Sequence, residues 1–184
     1  DASAALELAP NAPAALSLRA TALNLAGRHE EARLDAVAAM KTRPNETPLW
    51  ENMAWSCLRL RRYAEAIEGA NAALALNSGS ALALATRGYA RQMTGDMAGF
   101  KEDLEAAARL DSRFRRQAEL ARAGRRAYDP DDDDASYLLG DAARPPHGSQ
   151  PLFTSARATA AGFAGLAAIL AVLLEKGPLG AEQI

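Results

Sequence analysis

Cysteine is nearly absent: Cys57 is the one thiol in 184 residues, which excludes an internal disulfide framework and most cysteine-based metal sites. Histidine is almost as scarce, and His29 and His147 lie too far apart in the chain to give a local metal-ligand spacing. Aromatic residues make up 5% of the sequence and β-branched residues are few, while alanine and leucine supply most of the bulk; this composition points to an all-α protein. Neither sign of charge dominates. The 21 Lys and Arg residues oppose 23 Asp and Glu, and a formal net charge of −2 gives no global pull toward nucleic acid or an anionic surface. No secretory leader is expected within residues 1–184, and the first residue is aspartate, so the natural start is expected to lie further upstream. No nucleophile–base pair, glycine-rich phosphate loop or metal-ligand spacing emerges. The expectation is a protein that is not an enzyme, with no cofactor, no bound metal and no nucleic-acid partner.

What the sequence does contain is a repeat. Segments 13–46, 47–80 and 81–114 align without gaps at a spacing of 34 residues. Their fourth positions read Leu16, Trp50 and Leu84, and their eighth positions Ala20, Ala54 and Gly88. The fifteenth carries Gly27, Arg61 and Gly95, the twentieth Ala32, Ala66 and Phe100, and the twenty-seventh Ala39, Ala73 and Ala107. Each repeat reads as two antiparallel helices joined by a tight turn, where glycine tolerates a positive φ. Small residues let the two helices approach closely, and large ones such as Trp50 and Leu84 fill the space between neighbouring pairs. One pair cannot bury its apolar face alone, so several must stack. Pro44 falls where a second helix should stop.

The register runs backward into residues 1–12, where Ala5 and Leu6 fall on the apolar face and Pro10 matches Pro44, so the chain is expected to begin in mid-repeat. It also runs forward: residues 115–127 read as a capping helix with Ala118 and Ala121 on its small-residue face and arginines around it. Residues 128–151 form an acidic, proline-rich linker by composition, residues 152–176 an apolar helix, and residues 177–184 a short tail.

This pattern resembles the tetratricopeptide repeat (TPR) family over residues 1–127. The resemblance implies an all-α, right-handed TPR-type solenoid of antiparallel helix pairs, followed here by the linker and the single apolar C-terminal helix. It also implies a non-enzymatic scaffold or adaptor that binds a peptide or helix of a protein partner in a concave groove lined by the first helices. The groove positions of the family fall on Asn24, Glu51, Asn52, Trp55, Arg59, Thr86, Tyr89, Gln92 and Met93. An exposed Trp and Tyr would supply contact area there, and the polar groups would fix a partner's backbone. Alternatively Trp55 and Tyr89 pack against a neighbouring helix or the chain's own C-terminal segment.

Family members that clamp the carboxylate of chaperone tails use Lys and Asn at positions 5 and 9 of one repeat. They add Asn at position 6 of the next, with Lys and Arg at positions 2 and 6 of the third. Here those residues are Ser17, Thr21, Asn52, Leu82 and Thr86. Only Asn52 matches, and without the cations a carboxylate loses its charge-assisted bonds. A chaperone-tail receptor is not expected.

Other patterns read more blandly. The arginines from Arg109 to Arg126 could meet phosphate groups, but a solvated cap paired with nearby acids is the favoured reading. The run from Asp129 to Asp134 fails as a calcium loop, since its sixth residue is Asp134 instead of Gly and its twelfth is Gly140 instead of Glu. Trp50 and Cys57 sit at packing positions of the repeat and are expected in the core.

Between Arg157 and Glu175 no charge appears, and Thr159 is the sole polar side chain. A helix over residues 158–174 would be about 25 Å long, slightly short of a bilayer core of about 30 Å. It has no polar face and must be buried all round. The favoured expectation is a transmembrane anchor, with Phe163, Leu166, Ile169, Leu170, Val172, Leu173 and Leu174 in lipid. The protein would then be membrane-associated, holding a membrane or membrane-protein complex, with repeats facing the cytoplasm. A soluble cytoplasmic TPR protein whose C-terminal helix docks on its own solenoid is one alternative. Another is the recruitment domain of a larger enzyme.

Overall fold

A computed structural model describes residues 13–131 of the chain, and the elements it contains there are helical. They are α1 (Pro13–Leu25), α2 (His29–Met40), α3 (Thr47–Arg59), α4 (Tyr63–Leu76), α5 (Ala81–Thr94), α6 (Met97–Leu110), a 3-10 turn (Ser112–Phe114) and α7 (Arg115–Arg122). Consecutive helices pack as neighbours, so the described part is a row of helical hairpins, as a repeat solenoid requires. The expected first partial repeat, the linker beyond Asp131 and the apolar helix with its seven named residues lie outside the described residues.

The sequence period is written into the turns. Gly27, Arg61 and Gly95 have φ of 76°, 61° and 87°, the left-handed conformation that ends a helix. Behind each, the next residue's N–H reaches back five residues: Arg28 to the Leu23 carbonyl (2.9 Å), Arg62 to Cys57 (2.8 Å) and Asp96 to Arg91 (2.9 Å). The left-handed residues themselves bond three residues back, to Asn24, Leu58 and Gln92, completing the same paired closure at all three turns. Helix starts are fixed as regularly: Pro13 opens α1, Pro48 lies in the first turn of α3, and the Ser80 and Asp96 side chains cap α5 and α6.

Close approach within each hairpin depends on the small residues. Ala20, Ala54, Ala32, Ala66, Ala39, Ala73 and Ala107 are fully buried. A Cβ on Gly88 would stand 3.2 Å from the Asp103 Cβ and 3.3 Å from the Phe100 carbonyl oxygen, so no larger residue fits there without displacement. In the second repeat, Gly69 gives way in the same manner to Ala54. Ion pairs, one buried and one partly buried, which the period did not foretell, also tie the hairpins. Arg19 on α1 grips Asp35 on α2 through two contacts of 2.5 Å, and Arg87 on α5 grips Asp103 on α6 at 2.9 and 2.6 Å.

Two expectations shift. Trp50 is only partly buried, because it stands in the first turn of α3 and turns its indole N–H to the Pro44 carbonyl (2.7 Å). The capping helix ends at Arg122 instead of residue 127, because Gly124 takes φ 67° and closes the helix 29 residues after Gly95, short of the 34-residue period. Cys57 is fully buried, as expected.

Candidate protein-interaction face

The packing of the hairpins sets which face is concave. The first helices contact one another directly, α1 with α3 and α3 with α5, whereas the second helices make no comparable contact among themselves. A row that is tight on one side and splayed on the other curves toward the tight side. The first-helix layer, carrying Asn24, Glu51, Asn52, Trp55, Arg59, Thr86, Tyr89, Gln92 and Met93, is therefore the inner one.

Among the described residues, this layer is open at its amino-terminal end. Leu18 is 38% exposed, and Ser17, Thr21 and Asn52 beside it are half-buried. Asn52 bridges α1 and α3: its amide donates to the Ser17 carbonyl (3.3 Å) and to Thr21 Oγ1 (3.0 Å). Asn24 lies deeper and is buried, donating to the Asn52 carbonyl (3.2 Å) while its own oxygen accepts from Ser56 Oγ (2.9 Å). His29 joins the network with Nδ1 at 3.1 Å from Asn24 Oδ1, and Arg59 Nε approaches His29 Nε2 at 3.4 Å. Arginine can only donate, so Nε2 accepts and the ring proton sits on Nδ1. Glu51 ties α3 to the start of α5 by accepting from Ser80 Oγ (2.6 Å).

The carboxyl-terminal end of the layer is closed. Trp55, Thr86, Tyr89 and Gln92 are all buried, and Met93 packs against the same core, so the aromatic pair expected on an exposed groove is covered. Part of what covers it is the chain itself. After Gly124 the backbone crosses the ends of the first helices, and Tyr128 stacks on Tyr89 with ring centroids 5.3 Å apart and planes inclined by 22°. Gln92 holds this strap by its backbone. Its Oε1 accepts the N–H groups of Ala127 (2.8 Å) and Tyr128 (3.2 Å), and its Nε2 donates to the Tyr128 carbonyl (2.7 Å). Further along, Arg61 pairs with Asp131. Burial pushes the Tyr128 phenol above its ordinary range, against the opposing pull of the Arg59 charge.

The deeper thiol of Cys57 is likewise pushed up by burial, to about 11, so it stays protonated. Among the described residues no group of three or more His, Cys, Asp or Glu side chains could hold a metal ion.

The family resemblance assigned the nine residues to the first helices but gave no sign of Tyr128, which lies beyond the last full repeat. The signal available was local: an aromatic followed by Asp and Pro, four residues after the helix-ending Gly124.

No protein-family model matches the chain. Over 85 residues, 46% of its length, it is 39% identical to "RNA polymerase II-associated protein 3" of Xenopus tropicalis. Over 103 residues, 55% of its length, it is 34% identical to the protein of the same name from Xenopus laevis. The matched stretches span 13% and 16% of those relatives. These similarities correct the expected membrane association. Both relatives are named for association with RNA polymerase II, and no helix among the described residues is long and apolar enough to cross a membrane. The described helices run to 14 residues at most, against about 20 for a span.

Proposed function

We propose that this chain is a TPR-type solenoid module that holds a protein partner on its first-helix face, as one part of an adaptor acting in RNA polymerase II-associated assemblies. The observation that carries the reading is the open amino-terminal end of that face. There Leu18 stands exposed beside Ser17, Thr21 and Asn52, so an apolar anchor meets polar groups already fixed by mutual hydrogen bonds. That combination suits a peptide or helix, whose side chain takes the apolar contact while its backbone meets the polar rim. The 34-residue spacing of the left-handed turn residues supports the TPR assignment. The names of the relatives supply the assembly, and the work of the reading is binding, with no catalytic step assigned to this chain.

A photo-reactive residue placed at position 18 of the full chain tests this in cells. Cross-links from position 18 to RNA polymerase II or a protein bound to it are expected, and Leu18→Asp should remove that association without changing thermal stability. The same probe at Leu34, exposed on a second helix, should give no such product. Cross-links only from position 34, or none from position 18, would overturn the reading.

A further inference from the structure

The strap is held as a bound peptide is held. Gln92 makes three hydrogen bonds to main-chain atoms of Ala127 and Tyr128, accepting two N–H groups and donating to one carbonyl, an exchange that calls on no side chain of the segment. Specificity comes from two other points. The Tyr89 ring takes an aromatic side chain face to face, and Arg61 pairs with the carboxylate of Asp131, three residues further on. Gln92 and Tyr89 lie on the inner layer, and the covering segment is joined to the solenoid by a short connection that starts at Gly124.

We propose that the place filled by Ala127–Asp131 is a peptide subsite, and that the strap is its internal competitor. The external ligand is a bent segment of a partner protein with a tyrosine followed within three residues by an acidic side chain, the chemistry the strap itself displays in Tyr128-Asp129-Pro130-Asp131. The inference rests on the partner-binding reading above and adds that the carboxyl-terminal end of the face is self-inhibited. Tethering gives the strap an effective concentration of about millimolar, so an external peptide enters only when the strap is weakened or the peptide binds tightly. The pairing of Arg61 with Asp131 is exposed and contributes little by itself, so the strap's outer end is where displacement begins.

The test uses the full chain and a fluorescent peptide of residues 125–133, read by fluorescence anisotropy. Tyr128→Ala should bind the peptide about tenfold or more tightly than the unaltered chain. Because that change empties a packed position, Asp131→Lys is made in parallel. It sets a like charge against Arg61 without touching the core, and a few-fold gain is expected. Adding Gln92→Ala to either variant, or replacing the peptide's tyrosine with alanine, should abolish binding. Absence of binding by both opened variants, with helicity retained, would make the strap a structural cap and overturn the proposal. So would a dimer of the unaltered chain that Tyr128→Ala dissolves, since the occupant would then be a second copy's strap. Cross-links from position 18 that persist in either case would leave the broader binding reading standing, so the two failures are distinguishable.

Discussion

Arg19 and Asp35 clasp each other across the first hairpin, and the same pairing recurs 68 positions later between Arg87 and Asp103. In the intervening repeat the two positions hold Met53 and Gly69, so an apolar solution replaces the ionic one within the same fold. Arg19 is 4% exposed. Removing its partner alone, as in Asp35→Ala, strands a buried charge and should cost about 3–5 kcal/mol. Replacing both, as in Arg19→Met with Asp35→Ala, imitates the middle repeat and should recover most of that loss. Urea unfolding of the full chain measures both. Equal destabilisation by the single and double variants would mean that the pair itself supplies the stability.

The turns give a second test. A Cβ on Gly95 would meet nothing within 4 Å, so the cost of Gly95→Ala is conformational alone. The left-handed region disfavours alanine by about 1–2 kcal/mol, whereas asparagine is better tolerated there. Gly95→Ala should therefore lower the thermal midpoint, and Gly95→Asn should lower it less. A calorimetric ranking of Asn below Ala would contradict this account of the turn.

Much of this architecture was legible because it is local and periodic. Gly27 and Gly95 announce the turns, the alanines at the twentieth and twenty-seventh positions mark the packing face, and Arg61 could be assigned to a turn only because the period placed it opposite two glycines. The Arg–Asp pairs were less visible: each residue type is ordinarily a surface residue, and only structure shows the two facing inward together. Trp50 was misassigned for a related reason, since its register was right but its place in the first turn of α3 leaves it near solvent. The strap was not legible at all. Tyr128 meets residues 36 and 39 positions earlier through a crossing that no repeat encodes.

Cys57 offers a chemical check on the depth of the core. Its thiol is raised to about 11 by burial, so the native chain should resist a thiol-labelling reagent at about pH 8 and react fully once unfolded. Between its ordinary value and 11 the unfolded chain releases a proton that the native chain keeps. Stability should therefore fall as pH rises through that window, and Cys57→Ala should flatten this part of the profile. Rapid labelling of the native chain would show that the second repeat opens locally.

Gln92 is the hinge of the closed end, and its chemistry can be split by one atom. Gln92→Glu keeps an oxygen to accept the Ala127 and Tyr128 N–H groups but loses the donor to the Tyr128 carbonyl. Above the carboxyl pKa the new group also carries a charge at a position 8% exposed, which burial penalises. The strap should then loosen at neutral pH, with hydrogen-exchange protection of the Ala127 and Tyr128 amides falling while that of α3 and α5 persists. When acid protonates the carboxyl, its O–H can donate to the Tyr128 carbonyl and protection should return. Protection factors at about pH 4 and pH 7, each normalised to the intrinsic rate, separate this from ordinary destabilisation, which acid would not reverse. A variant equally protected at both values would mean that Gln92 reads the strap through its acceptor alone.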